Sequence, residues 1–420
     1  MTNFKSYLPG NPKLFRLLAL IIAFCLPLTK KGIPLLIAML VLLRIWQYFA
    51  GDKGAIRAQK ELKIFSALCL SYYALHLIGM LWTSNFEAGM DELEYKLSFL
   101  ILPLLFIFRK PYKDNLVRLL SLSYVSGMIL FGLIAIIRAA FRYDDIGITA
   151  WFYSELSGNF HTSYVALYAC WAVALLAEMW QMKSDKNWYY WLATAFLLFF
   201  VVLLASKAGF LAAILTVCLV AIYLFKNKFT SIRYWLFTLS AALVLLLGSI
   251  YSPSLNQRLA AAGASVALNN ENDNPITQSD TTSVSQGSTN LRLAAMEAGF
   301  NYFIKNPFGA GTGDLDLAMA EEYKFMNQKE AGEKQLNPHN QYLSTAVALG
   351  WPGFLLILAI VFYPAWIFFK RKKLIWLILP LITAFNLLFE SMLEQQAGIV
   401  FFIFWSILLL ADIEEHSVQT

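Results

Sequence analysis

Charge is scarce in this chain. Of its 420 residues 14% are Asp, Glu, Lys or Arg, where a soluble globular protein carries nearer a quarter. A water-soluble fold with an ordinary charged surface is therefore excluded. Cysteine is scarcer still. Cys25, Cys69, Cys170 and Cys218 lie within apolar runs and share no metal-ligand spacing. They suggest neither a thiolate metal site nor a disulfide framework, and read as packing residues. There are only four histidines, no Asp-rich metal motif accompanies them, and no internal repeat is evident.

What the chain has in quantity is apolar length. Hydrophobic residues make up 59% of it and the mean hydropathy is +0.57. A bilayer crossing takes about 20 residues, and runs of that order recur almost throughout. Twelve spans are expected, at roughly 14–29, 33–50, 63–82, 97–109, 116–138, 161–180, 188–205, 208–225, 232–250, 352–369, 374–390 and 397–412. The fourth is short and fits a thinned or interfacial place. Residues 191–225 hold one charge, Lys207. At about 1.5 Å per residue that stretch exceeds about 50 Å, too long for one crossing, so Ser206, Lys207 and Gly209 mark a tight turn between two spans. The first run, Leu14 to Leu28, is flanked by Lys5, Lys13 and Arg16 and ends in LTKKG rather than a small-residue cleavage site. It reads as a retained span. The expected fold class is an all-α polytopic membrane protein of about 12 transmembrane helices.

Lysine and arginine give the orientation. With the N-terminus inside, the inner segments hold twenty, including those at 53–63, 109–118 and 370–373. The outer loops hold six: Lys30, Lys31, Lys96, Arg138, Arg142 and Lys207. Both termini are expected to be cytoplasmic. The net charge of +6 is then a topology signal, and a nucleic-acid partner has no support. Three parts follow: residues 1–250 with nine spans, a large outer loop at 251–351, and residues 352–420 with three spans and a short tail.

The outer loop begins with a polar stretch, 266–288, that is poor in apolar residues and expected to be flexible. A helix is predicted from about Thr289 to Ile304, closed by Asn306-Pro307. GAGTGD at 309–314 is a glycine-rich turn; it superficially resembles a dinucleotide fingerprint, but no βαβ unit surrounds it. A second helix is predicted from Leu315 to about Gln328. Asn337 can cap a third, with Pro338 at its first position, over about 338–349, broken by Gly350-Trp351-Pro352-Gly353.

Several residues on the outer side could carry chemistry. His339, at the second position of the predicted third helix, would feel the positive end of the macrodipole. That keeps the imidazole neutral and able to accept a proton; a polar border residue bonded to a loop is the alternative. Arg292 has Ser288, Thr289, Ala295 and Met296 as helical neighbours, so no acid pairs with it locally. It can bind an anion or stay a solvated helix charge. Lys207 lies between two very apolar helices, where ionisable groups are functional candidates unless they snorkel to headgroups. Glu390, at the outer end of span 11, and His161, opening span 6, read singly as interfacial groups. Together, a base candidate, two cations and a carboxylate on one side of the membrane suit a phosphorylated lipid ligand.

These segments resemble the O-antigen ligase and polymerase superfamily of bacterial membrane glycosyltransferases. PHNQYLSTAVALGWPG is similar to its histidine segment, and LRLAAMEAGFNYFIKNPFGAGTGD to its upstream arginine segment. LLASKAGFLAAIL is similar to its Ser-Arg-Gly turn, and EYKLSFLILPLLF and FESMLEQQAG to further segments. The resemblance runs from about residue 94 to the end. It implies a GT-C-like membrane enzyme of the inner membrane with its site on the periplasmic face. The reaction implied moves a glycan from undecaprenyl pyrophosphate to an acceptor hydroxyl, without metal ion or cofactor. His339 would be the base or would orient the acceptor, and Arg292 would hold the pyrophosphate. Asn340 and Tyr342 lie in the histidine segment as further candidates. The family's other arginine falls on Lys207, which keeps the charge but loses the bidentate fork.

The expected function is an O-antigen ligase that joins a surface glycan to lipid A-core in lipopolysaccharide biosynthesis. A polymerase, with a repeat unit as acceptor, or a protein O-oligosaccharyltransferase keeps the chemistry and changes the acceptor. A transporter or flippase is a different class; it should show repeat symmetry and helices broken at mid-membrane, and the sequence displays neither.

Overall fold

The computed structural model describes residues 12–49, 60–107, 116–182, 188–228, 242 and 280–417. Among them every regular element is helical. A bilayer offers the backbone no hydrogen-bonding partner, so a segment crossing it must satisfy its own N–H and C=O groups. In chain order the α-helices are α1 (Pro12–Cys25), α2 (Gly32–Phe49), α3 (Lys60–Gly79), α4 (Phe86–Lys96), α5 (Ser98–Ile107), α6 (Leu116–Ile146), α7 (Tyr153–Ser157) and α8 (Thr162–Met182). They continue as α9 (Tyr189–Leu203), α10 (Lys207–Lys228), α11 (Asp280–Lys305), α12 (Leu315–Phe325), α13 (Lys329–Glu333), α14 (Gln341–Lys370), α15 (Ile378–Asn386) and α16 (Gln396–Ser417).

Seven stretches among the described residues are long and apolar enough to cross a membrane: Gly32–Phe49, Lys60–Gly79, Leu116–Trp151, Thr162–Gln181, Lys207–Lys226, Gln341–Lys370 and Gln396–Ile413. Four more of the expected spans form shorter helices: α1, α5, α9 and α15. Pro103 interrupts the bonding of α5, and α15 has nine residues, with Pro380 in its first turn. The expected span at 232–250 lies outside the described residues.

The bundle is built around α8, 94% of whose span is buried, so it has neighbours on all sides. Its Trp171 ring lies 5.6 Å from Trp405 of α16, and Tyr124 of α6 donates to the Tyr168 carbonyl at 2.9 Å. A Cβ on Gly209 would stand 2.4 Å from that of Ala166; glycine there lets the start of α10 lie against the start of α8. Leu35, Leu42, Phe141 and Leu355 are exposed, an arrangement costly in water and favourable against lipid. The two ends of the bundle are distinct. Lys30 lies 5.2 Å over the Phe160 ring and Arg138 donates to the Leu156 carbonyl at one end. At the other, Arg371 pairs with Glu61 at 2.6 Å and Trp376 donates to Glu178 at 2.8 Å.

In the segment expected to lie outside, α11 begins earlier than predicted, so residues 280–288 of the polar stretch are helical; 266–279 lie outside the described residues. The helix ends where expected, at Asn306-Pro307. GAGTGD is a structural bracket. Pro352 has no N–H, and the Trp351 N–H turns to the Pro307 carbonyl at 2.9 Å, which strips two carbonyls of α14 of their helical donors. Ala310 N–H takes the Val347 carbonyl at 2.8 Å and Gly311 N–H that of Ala348 at 3.0 Å. Gly350 supplies the break with φ +65°, and a Cβ there would meet the Pro307 oxygen at 2.1 Å. Asp314 then accepts from Ser84 N–H, Ser84 Oγ and Asn85 N–H at 2.7–2.9 Å. The loop is spent on tying α14 to the α3–α4 turn, so the tight-turn reading stands over the cofactor one.

Candidate functional site

The start of α14 differs from the sequence expectation. Helical residues begin at Gln341, and Asn340 is the cap, its Oδ1 accepting from Leu343 N–H at 3.1 Å. Asn337 instead accepts from His339 N–H at 2.9 Å, closing a turn. His339 therefore does not occupy a second helical position; it sits just before the cap in the left-handed region, φ +48°. Two asparagines compete for the cap, and the one closer to Gln341 wins because the Gln341 N–H is taken by the Leu387 carbonyl at 2.9 Å. The neutrality expected of His339 has a different origin as well. Burial first, then the charges of Arg292 and His161, push its titration down to about 4.

Those charges come from distant segments. Arg292, on α11, was expected to lack a local acid. It meets Glu390 from the turn after α15, Nη1 to Oε1 at 3.5 Å. His161, just before α8, approaches the same oxygen with Nε2 at 3.9 Å and bonds Ser163 Oγ through Nδ1 at 2.7 Å. Burial lowers its pKa, Glu390 raises it, and Arg292 and Lys30 lower it further. Glu390 is largely buried while Arg292 and His161 are about two-fifths exposed, so the carboxylate lies beneath its two partners. Gly299 of α11 packs on Pro338, where a Cβ would stand 3.2 Å from the ring. That contact sets α11 beside the histidine turn.

The remaining candidates divide. Asn340 Nδ2 donates to the Leu388 carbonyl at 3.2 Å and Tyr342 Oη to that of Ala384 at 3.1 Å; both polar tips hold α14 to the α15 segment. Lys207 opens α10 after a left-handed Ala205, φ +47°, with Ser206 Oγ accepting from Gly209 N–H at 3.2 Å. The expected turn is there, at the same end of the bundle as His161. From the sequence, Lys30 and Lys96 read only as loop charges. Lys30 is half-buried and acts on His161, and Lys96 is wholly buried with Glu92, Glu394 and Gln341 around it. The Glu92-to-Lys96 spacing of one helical turn was the available signal.

The arrangement suits an anion beside a neutral imidazole: the Arg292 guanidinium and the His161 ring share one carboxylate, and the His339 ring makes no hydrogen bond among the described residues. Residues 192–358 match the model of the family described as O-antigen ligase. The matched segment contains Lys207, Arg292 and His339, and ends before Glu390. No curated protein matches the chain. Over residues 192–358 the chain is thus similar to the O-antigen ligase family, a match that supports a place in the O-antigen ligase and polymerase superfamily.

Proposed function

We propose that the chain transfers a glycan from undecaprenyl pyrophosphate to a hydroxyl of lipid A-core, on the periplasmic face of the inner membrane. The observation that carries the reading is the convergence of His339, Arg292, His161 and Glu390, from four separate stretches of sequence, at one end of an apolar bundle. The acceptor oxygen bonds to the anomeric carbon as the bond from that carbon to the pyrophosphate oxygen breaks. The acceptor proton passes to the His339 ring, and undecaprenyl pyrophosphate leaves with the bonding pair. Pyrophosphate is a good leaving group once its charge is held, so Arg292 and Lys207 serve that side of the reaction. Glu390 keeps Arg292 and His161 in place and, as a negative charge beneath them, favours a ligand approaching from the open side. A left-handed turn held by Asn337 fixes the base before the substrate arrives, which avoids reorganisation during the step.

The test is the surface-glycan profile of a deletion strain, with the chain restored on a plasmid. Undecorated lipid A-core that regains long chains on complementation supports the ligase. Short-chain glycan on lipid A-core would identify a polymerase instead, and unglycosylated protein a protein-directed transferase.

A further inference from the structure

A buried ion cluster lies beside the site and has no part in the chemistry above. Lys96 closes α4 with its side chain 1% exposed, and its ammonium pairs with Glu92 one turn earlier and with Glu394 in the turn at Met392–Glu394. Glu394 also accepts from the Gln341 amide, whose oxygen accepts from Leu393 N–H at 2.6 Å. The same amide reaches Thr345 Oγ1 at 3.2 Å, and Thr345 meets the Tyr72 hydroxyl at 3.2 Å. Gln341 is the first residue of α14, two positions after His339. The segment that carries Glu394 also carries Glu390, the partner of Arg292 and His161.

A buried ammonium is tolerated only when its partners are well placed, and here two carboxyl groups share it. Burial raises Glu92 to about 7, against the pull of Lys96. Glu394, buried as well, is held below its ordinary value by Lys96 and by its hydrogen bonds. Without Lys96 the Glu92 carboxyl would hold its proton more firmly still, Glu394 would lose the ammonium that keeps it ionised, and Gln341 would lose a fixed acceptor.

We propose that Lys96 is a positioning residue: through Glu394 and Gln341 it sets the start of α14, and with it the placing of His339 against Arg292 and Glu390. The proposal rests on the catalytic reading of His339, so its test needs one readout that does not depend on transfer.

Full-length Lys96→Met and Gln341→Ala are compared with wild type in nanodiscs, per amount of folded protein recovered by size exclusion. Gln341→Ala leaves the ion cluster intact and covers the case in which Lys96→Met fails to fold. With carrier-linked donor, kcat is expected to fall about tenfold or more, because a displacement of about 1 Å at a reacting group costs about a hundredfold. KM for donor should stay within about threefold, as expected when only the transition-state geometry suffers. The second readout is the rate at which diethyl pyrocarbonate modifies His339, followed by mass spectrometry; it should change by about threefold or more in either variant. Unchanged kcat together with unchanged His339 reactivity in Gln341→Ala overturns the proposal. A wild-type protein without transferase activity, whose His339 reactivity still shifts in the variants, would sink the proposed function and leave the positioning role standing.

Discussion

Acidification tests how the cations around His339 tune it. In the free protein the imidazole titrates at about 4 instead of 6.5, through burial first and then the charges of Arg292 and His161. A pyrophosphate seated against Arg292 brings negative charge into the same space. Burial remains, but the cationic contribution is offset, and an opposite charge within about 4–6 Å moves a titration by about 1–3 pH units. In the donor complex His339 should therefore titrate about one to two pH units higher than in the free protein. The assay is initial-rate kinetics in nanodiscs with carrier-linked donor and saturating acceptor, between about pH 4 and 8. The acid limb of kcat/KM reports the free enzyme and that of kcat the complex. Protonated His339 cannot take the acceptor proton, so both quantities fall on the acid side, and kcat must begin to fall at the higher pH. Donor affinity should strengthen as the pH drops between the two values, because binding then takes up a proton. Coincident limbs, or a kcat limb at the lower pH, would refute the placing of pyrophosphate beside Arg292 and His339.

Three further outcomes are expected. Arg292→Ala should leave the protein in the membrane and cost transfer about ten- to hundredfold, since a charge-assisted contact contributes about 1.5–3 kcal/mol; near-normal transfer would remove the residue from the mechanism. Lys207→Arg should keep activity, because the superfamily pattern carries arginine there, while Lys207→Ala should weaken donor use, read as a raised KM. Reporter fusions at Asn227 and Arg371 should report cytoplasm and one at Ser283 periplasm; a cytoplasmic signal at Ser283 would put His339 and Arg292 on the wrong side for a carrier-linked donor.

Much of the scaffold is legible in local pattern. The described apolar runs become helices, and the chain turns at Ala205 and Ser206, with Lys207 and Gly209 in the first turn of α10. Asn306-Pro307 ends α11, and Gly350 with Pro352 breaks α14. Each of these is decided by residues a few positions apart. The charges of the site are not. Arg292 finds its acid at Glu390, and Lys96 finds its second acid at Glu394, pairings that exist only once the bundle has closed. Helical spacing rules reach one turn and stop, so Arg292 reads as lacking a partner, and for Lys96 they point to Glu92 alone. The misplaced start of α14 has the same cause. Locally, Asn337 followed by Pro338 is a sound cap, and it loses because Leu387 and Leu388, from the far side of the sequence, engage Gln341 and Asn340.

The most direct measurement is the single-turnover rate of His339→Gln in purified protein loaded with carrier-linked donor, beside His339→Ala and wild type. Glutamine keeps polarity and some hydrogen bonding but takes up no proton. His339→Asn, which tolerates the left-handed backbone of this position, controls for strain. General-base assistance is typically worth about 10²- to 10⁴-fold. The account predicts that His339→Gln loses rate on that scale, nearly as inactive as His339→Ala, with donor still bound at near wild-type affinity. A His339→Gln protein that retains most of the wild-type rate would contradict it, leaving His339 to orient the acceptor and nothing more.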